Sequence, residues 1–327
     1  MRIFKYLTLV AGITLLGFAA PAVAQTVPAK SDEQISQEKS TRIFLDSRVS
    51  TILFSQTDRL SRPLGLLDDI ETTQGTGVAE LEGYNGPAWF SLSGRRSSLG
   101  GDDLDLGIVT IGGDIVSGPN GIFGIMLQND FAFQDGSDGG TFDATGYMAG
   151  LYGIQQWAGL TVDARLLAGE TSNDIANFGA RADDVKSQRW LAAIQLLTTQ
   201  ELSDGLLLVP NGGVSWFEDR MDAYTLGITP VEAETIQYGQ ANLGAKAYVP
   251  ITFGRAQGDI VIGGAGILGF GASAGEQVPD DLRGRVDLGI EFYNADVWQV
   301  SAGLFVDGLG QDEYEATGLD LGVTLWF

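Results

Sequence analysis

Three adjacent carboxylate pairs, Asp102-Asp103, Asp183-Asp184 and Asp280-Asp281, are the residues of this chain whose type and spacing best suit chemistry. Paired acids can share general acid and base work or hold a hard cation such as Ca2+. Each pair falls in a stretch read as a loop, where neighbouring side chains have no fixed convergence. No loop shows the spacing of a helix–loop–helix calcium site, so the pairs read as solvated loop charge. Two glycine clusters, Gly112-Gly113 and Gly263-Gly264-Ala265-Gly266, lack the Lys-Ser/Thr and the helix that a phosphate-cradling loop needs. Close strand packing accounts for them better. The chain has no histidine and no cysteine. The imidazole base, the thiolate nucleophile and disulfides are therefore unavailable. No catalytic, cofactor-binding or metal-ligating residue is assigned, no cofactor is expected, and an enzyme is not expected.

Charge narrows the partners. With 19 basic and 42 acidic residues the net charge is −23. Nucleic acid is excluded as a partner, because phosphate binding needs clustered Lys and Arg. Hydrophobic residues make up 44% of the chain and charged residues 19%, too apolar a balance for disorder.

The elements that would position any site come in two kinds. Arg2 and Lys5, the apolar run Tyr6 to Ala20 and the small residues ending in Ala22-Val23-Ala24 form a secretory signal peptide over residues 1–24. The run is shorter than the roughly 20 residues a spanning helix needs. Residues 25–40 are polar and expected to be flexible. From 41 to 65 the period is helical, with Ile43, Phe44, Val49, Ile52, Leu53 and Leu60 on one broad face and Arg48 among the residues of the rest. Residues 66–87 form a linker.

From Ala88 to Phe327 the period becomes two. Leu160, Val162, Ala164, Leu166 and Ala168 oppose Thr161, Asp163 and Arg165. Val286, Leu288, Ile290 and Phe292 oppose Arg283, Arg285, Asp287 and Glu291. Such runs are long for a soluble sheet, where five or six residues is usual, and they suit tilted membrane strands. Full charges on the second face fit a wet lumen and not a dry sandwich core. An open sheet in lipid would leave edge groups unsatisfied, so the strands must close. The expectation is an all-β, closed antiparallel transmembrane barrel of about 12 strands. The lumen-facing charged residues would be Asp163, Arg165, Arg283, Arg285, Asp287 and Glu291.

Short connections near Pro119, Ala158, Asp204 and Ala295 alternate with longer ones at 96–103, 134–141, 170–186, 217–231, 272–281 and 308–313. The link from Pro250 to Gly258 is the exception, longer than a tight turn. The long loops hold much of the acid, including Asp102, Asp183, Asp184, Asp219 and Asp312. Trp89, Phe131, Phe133, Trp157, Trp190 and Trp298 are expected in interfacial girdles.

The last residues, Asp320-Leu321-Gly322-Val323-Thr324-Leu325-Trp326-Phe327, resemble the carboxy-terminal insertion signal of bacterial outer-membrane barrels. Asp320, Gly322, Leu325 and Phe327 stand at its polar, glycine, hydrophobic and terminal aromatic positions. This resemblance implies recognition by the β-barrel assembly machinery and a home in the bacterial outer membrane, with its lipid as partner. Residues 88–327, with the helix before them, resemble an autotransporter-type translocator domain. In that family twelve strands enclose a helix, so the resemblance implies a plug that includes Ile43, Phe44, Arg48, Ile52 and Leu53. The chain departs from the family in lacking a long β-helical passenger and an Asn-Asn pair in the helix. Two functions stay open. One is an autotransporter-type barrel, expected to be monomeric, that displays acidic loops and a short N-terminal segment at the cell surface. The other is a diffusion porin for small solutes, with the helix left in the periplasm.

Overall fold

The computed structural model describes Thr41, Leu45, Arg48 and Ile52, then residues 88–99, 102–118, 121–136, 139–177, 179–203, 205–253, 256–271, 282–294, 298–312 and 314–325. The signal peptide, the 25–40 segment, the linker, Ile43, Phe44, Leu53 and Phe327 lie outside the described residues.

Fifteen strands are described: β1 (Ala88–Leu99), β2 (Asp102–Gly118), β3 (Gly121–Asp135), β4 (Thr141–Trp157), β5 (Leu160–Asn177), β6 (Ala180–Thr198), β7 (Gln200–Ser203), β8 (Leu206–Met221), β9 (Tyr224–Leu226), β10 (Thr229–Val231), β11 (Glu234–Phe253), β12 (Ala256–Phe270), β13 (Leu282–Asn294), β14 (Trp298–Leu309) and β15 (Tyr314–Leu325). Twelve of them close a barrel. Each long strand pairs antiparallel with its sequence neighbours, β6 pairs with β8, β8 with β11, and β15 closes on β1 from Ala88↔Leu325 to Leu99↔Tyr314. Strand β7 continues β6 after a break and pairs only with β8. Pro210 of β8 lies beside that break, where a residue without an N–H forfeits no ladder bond.

The two-residue period sets the faces. Leu151, Leu166, Ile194, Leu243, Ile262, Leu288 and Leu304 stand exposed on the outside, where hydrocarbon rather than water covers them. Met148, Tyr152, Leu191, Phe217 and Tyr238 are buried inside, among inward polar and charged side chains. Ladder bonds on both sides satisfy each strand's backbone, as a lipid-embedded segment requires.

The β4–β5 turn shows how the short connections form. Ala158 (φ 49°) and Gly159 (φ 82°) are both left-handed, as a type I′ turn demands, and its twist matches that of the flanking strands. The termini Ala88 and Leu325 lie at this same end, the periplasmic side in outer-membrane barrels.

Several connections differ from expectation. The long loop expected at 170–186 is a tall hairpin, with β5 running to Asn177 and β6 starting at Ala180. Above the lipid the outer face is wet and carries Asp174 and Lys186, while the inner face mixes Thr171 and Asn173 with Ile175, so the apolar/polar period vanishes while the pleat continues. The Arg96–Asp103 connection likewise shortens, since β1 reaches Leu99 and β2 starts at Asp102. The Pro250–Gly258 link is a tight turn, with β11 reaching Phe253 and β12 starting at Ala256. Beyond Tyr248, β11 pairs with β12 alone, so Pro250 sits on an edge that tolerates it. The 217–231 loop contains the β9–β10 hairpin, a separate two-stranded sheet. Phe131, Phe133 and Trp157 do face outward, but Trp89 turns inward and donates its indole N–H to the Tyr152 hydroxyl at 3.0 Å.

Candidate functional site: the barrel lumen

The six charged residues expected in the lumen are on its wall, and the structure supplies their partners. Asp163 and Arg165 share one face of β5 two residues apart and pair through Nη2–Oδ2 at 2.7 Å. Arg285 repeats this spacing with Asp287, its Nε donating at 2.6 Å. The Glu291 carboxylate accepts from Gln299 at 3.2 Å. Arg283 donates to Asp307 at 3.1 Å, to Gln240 at 3.2 Å and to the Tyr238 hydroxyl at 3.4 Å.

Asp307, which sequence reasoning missed, is the hub of this cluster. It is fully buried and also accepts from Arg95 at 3.3 Å and from Tyr314 at 3.2 Å. Aromatic faces share the load: Arg285 lies 3.9 Å from the Phe305 ring centroid and Arg283 lies 5.4 Å from that of Tyr314. One acid serving two guanidiniums would leave charge unbalanced, and Asp287 and Asp320 beside Arg285 offset it. Five strands bring these groups together: β1 (Arg95), β11 (Tyr238 and Gln240), β13, β14 and β15.

The opposite wall holds a second network. Arg189 and Asp130, both fully desolvated, form a two-pronged pair in which Nη1 donates to Oδ1 at 2.9 Å. Gly146 makes room for it, because a methyl there would overlap the Arg189 guanidinium and crowd Thr171 Oγ1 at 2.8 Å. Gly146→Ala is therefore expected to destabilise the barrel by about 1–3 kcal/mol through overpacking. Urea titration read by folded against unfolded gel mobility measures this; an unchanged midpoint would show that Arg189 has slack.

The helical positions meet this second wall. Thr41, Leu45, Arg48 and Ile52 are spaced four, three and four apart, which places them on one helix face. All four are buried. Leu45 and Ile52 join the apolar cluster formed by Phe142, Met148, Ile175 and Phe217. Arg48 donates to Asn173 Oδ1 at 2.6 Å and to Asp219 Oδ2. Asn173 is itself held by its amide on Val185 O at 2.8 Å and Ser187 Oγ at 3.0 Å. Asp219, counted by sequence among the loop acids, is instead a fully buried inner residue of β8. Parity with Phe217 was the signal that could have placed it. At the outer mouth the Thr41 and Tyr224 hydroxyls lie 2.9 Å apart.

The Asp102–Asp103 pair does not converge. Asp102 points inward and is buried, while Asp103 points outward to Arg96 at 3.1 Å, as adjacent strand residues must. Asp183 and Asp184 sit exposed at the β5–β6 tip. Lys186 and then Ser172, each at 2.5 Å, hold the Asp184 carboxyl below its ordinary range, and Asp184 in turn raises the Lys186 ammonium. Asp280 and Asp281 lie outside the described residues.

The terminal signal has a structural counterpart. Asp320 accepts from Ser93 at 2.5 Å, and Gly322 stands between Ser91 and Ser301 in the register. Leu325 is exposed on the outer face.

A closed antiparallel barrel that is apolar outside and charged within defines an integral outer-membrane β-barrel. The chain belongs to the autotransporter family: the model of the autotransporter beta-domain matches residues 88–304. Its fold is similar to that of the beta domain of the Bordetella autotransporter BrkA, with 16% identity, a TM-score of 0.62 and coverage of 75% of this chain and 100% of that one. The transport unit of AIDA-I from Escherichia coli is 16% identical at a TM-score of 0.62, covering 81% and 96%. The translocator domain of NalP from Neisseria meningitidis is 12% identical at a TM-score of 0.62, covering 90% and 99%. Comparison with curated protein sequences finds no match. The protein is thus an autotransporter-type barrel of the bacterial outer membrane, in contact with its lipid.

Proposed function

We propose that this barrel carries its own N-terminal segment to the cell surface and then keeps the lumen closed with the helix that follows it, without catalysing a reaction. The observation that carries the reading is the course of the helical positions. Thr41 touches Tyr224, in the outer loop, and Arg48 further along reaches Asn173 and Asp219 on the wall. The strand that follows begins at the opposite, periplasmic end. A chain following this course has residues N-terminal to Thr41 on the outer side. The porin alternative needs an open lumen, and Leu45, Arg48 and Ile52 are fully buried against its wall.

Assembly would begin with recognition of Asp320, Gly322, Leu325 and Phe327 by the β-barrel assembly machinery, since β15 presents an apolar face and pairs to close the barrel. The barrel acts as a monomer in this reading. A protease tag placed at residue 30 of the full chain tests display. Cleavage by protease added to intact cells is expected; a tag protected until the outer membrane is broken would refute display and favour a periplasmic N-terminus.

A further inference from the structure

The β8–β11 connection folds a sheet of its own at the outer mouth. We propose that the β9–β10 hairpin is a strap that closes the mouth over the helical segment and lifts as a unit to let polypeptide pass. The second half of this statement rests on the display reading above; the first does not.

Strands β9 and β10 pair only with each other, at Tyr224↔Val231, Thr225↔Pro230 and Leu226↔Thr229, and share no ladder with the barrel. A two-stranded ribbon of this length is not stable by itself. Its order comes from Leu226 and Val231, 4% and 3% exposed, of which Leu226 joins the apolar cluster of Leu45, Ile175 and Ile236. Ala180 and Ala182 of the β5–β6 tip pack against that cluster. At the turn, Gly227 has φ +63°, and a methyl there would stand 3.0 Å from that of Ala180. The next residue, Ile228, is 97% exposed, so the hairpin has a seated face and a free one. Tyr224 ties the strap to Thr41, and the Asp222 N–H on Lys186 O, at 2.8 Å, anchors its root.

These features separate the strap from the wall. Every long strand is held by backbone bonds on two sides, whereas the hairpin has no backbone ladder to the barrel to break. Segments held in this way open at lower free energy than the surrounding sheet. The mouth can therefore open without the barrel unfolding.

Hydrogen exchange on the full chain in lipid tests this. Amides of 224–231 should exchange faster than those of β8 and β11. Because the chain has no cysteine, Ala180→Cys with Gly227→Cys forms one defined lock. Oxidation is expected to slow hairpin exchange by about tenfold or more, and reduction to restore it, with β8 and β11 unchanged. Leu226→Asp, which leaves the turn untouched, should speed hairpin exchange alone. The strap is refuted if the hairpin exchanges in step with β8 and β11, or if neither lock nor Leu226→Asp alters it. A residue-30 tag that stays inside the cell would sink the display reading while leaving the exchange result to decide the strap.

Discussion

Arg48→Ala is expected to open the barrel to ions, and Asp219→Ala to do the same. Both side chains are fully buried and hydrogen-bonded to each other. Removing one partner of such a pair strands the other charge, at about 3–5 kcal/mol. In a lumen the stranded charge has an escape that a dry core lacks: the helical segment can shift and admit water. A penalty of that size changes the closed-to-open ratio by about two to three and a half decades. In planar bilayers the wild-type chain should conduct rarely, and each single variant should conduct much of the time. Arg48→Met with Asp219→Leu should return the barrel towards closure, since an apolar pair of similar volume commonly replaces a buried ion pair without loss. Deleting residues 41–65 sets the fully open level. If Arg48→Ala is as silent as wild type, the Arg48–Asp219 contact does not hold the plug. If the double variant leaks as much as the singles, shape rather than charge is what seats it.

The same contact shows where reading a sequence stops. Asp163 with Arg165, and Arg285 with Asp287, were legible as neighbours on one face because a two-residue step keeps side chains on one face of one strand. Arg48–Asp219 and Arg95–Asp307 join positions far apart in the chain. Parity says that Arg95, Asp219 and Asp307 point inward, but not at which height or across from what, and it says nothing of Arg48 on its helix. Height depends on the stagger of twelve strands, which no single strand encodes. Trp89 illustrates the related error. A tryptophan at a strand end suits an interfacial girdle, yet the glycine at 112 leaves a gap that its ring fills from the inside, where a methyl on Gly112 would overlap it. The hairpins above the lipid escaped detection because their outer face meets water instead of hydrocarbon while their inner face mixes polar and apolar residues, which removes the contrast that reveals a strand. The barrel itself was legible because lipid imposes that contrast over every membrane-crossing segment.

That contrast yields the second large effect, expected for Leu288→Arg and Leu304→Arg. These residues are direct cross-strand partners on β13 and β14. They are 55% and 59% exposed, with Ile262 opposite Leu288 on β12 at 51%. On the surface of a soluble sheet an arginine at such sites would be nearly neutral or would help solubility. Here both lie near the middle of a membrane-crossing face, where an arginine costs about 2–4 kcal/mol. Placed together, the two cations also repel across the ladder. Each single variant should lower the urea midpoint of folding into vesicles, and the pair should fail to reach the folded, heat-modifiable form. As a matched control, Asp287→Asn changes charge between the same strands but faces the lumen, where water remains available, and should fold. Should the double arginine variant fold into lipid as well as wild type, the exposed leucines would not be the membrane-facing surface, and the inward and outward faces assigned here would have to be exchanged.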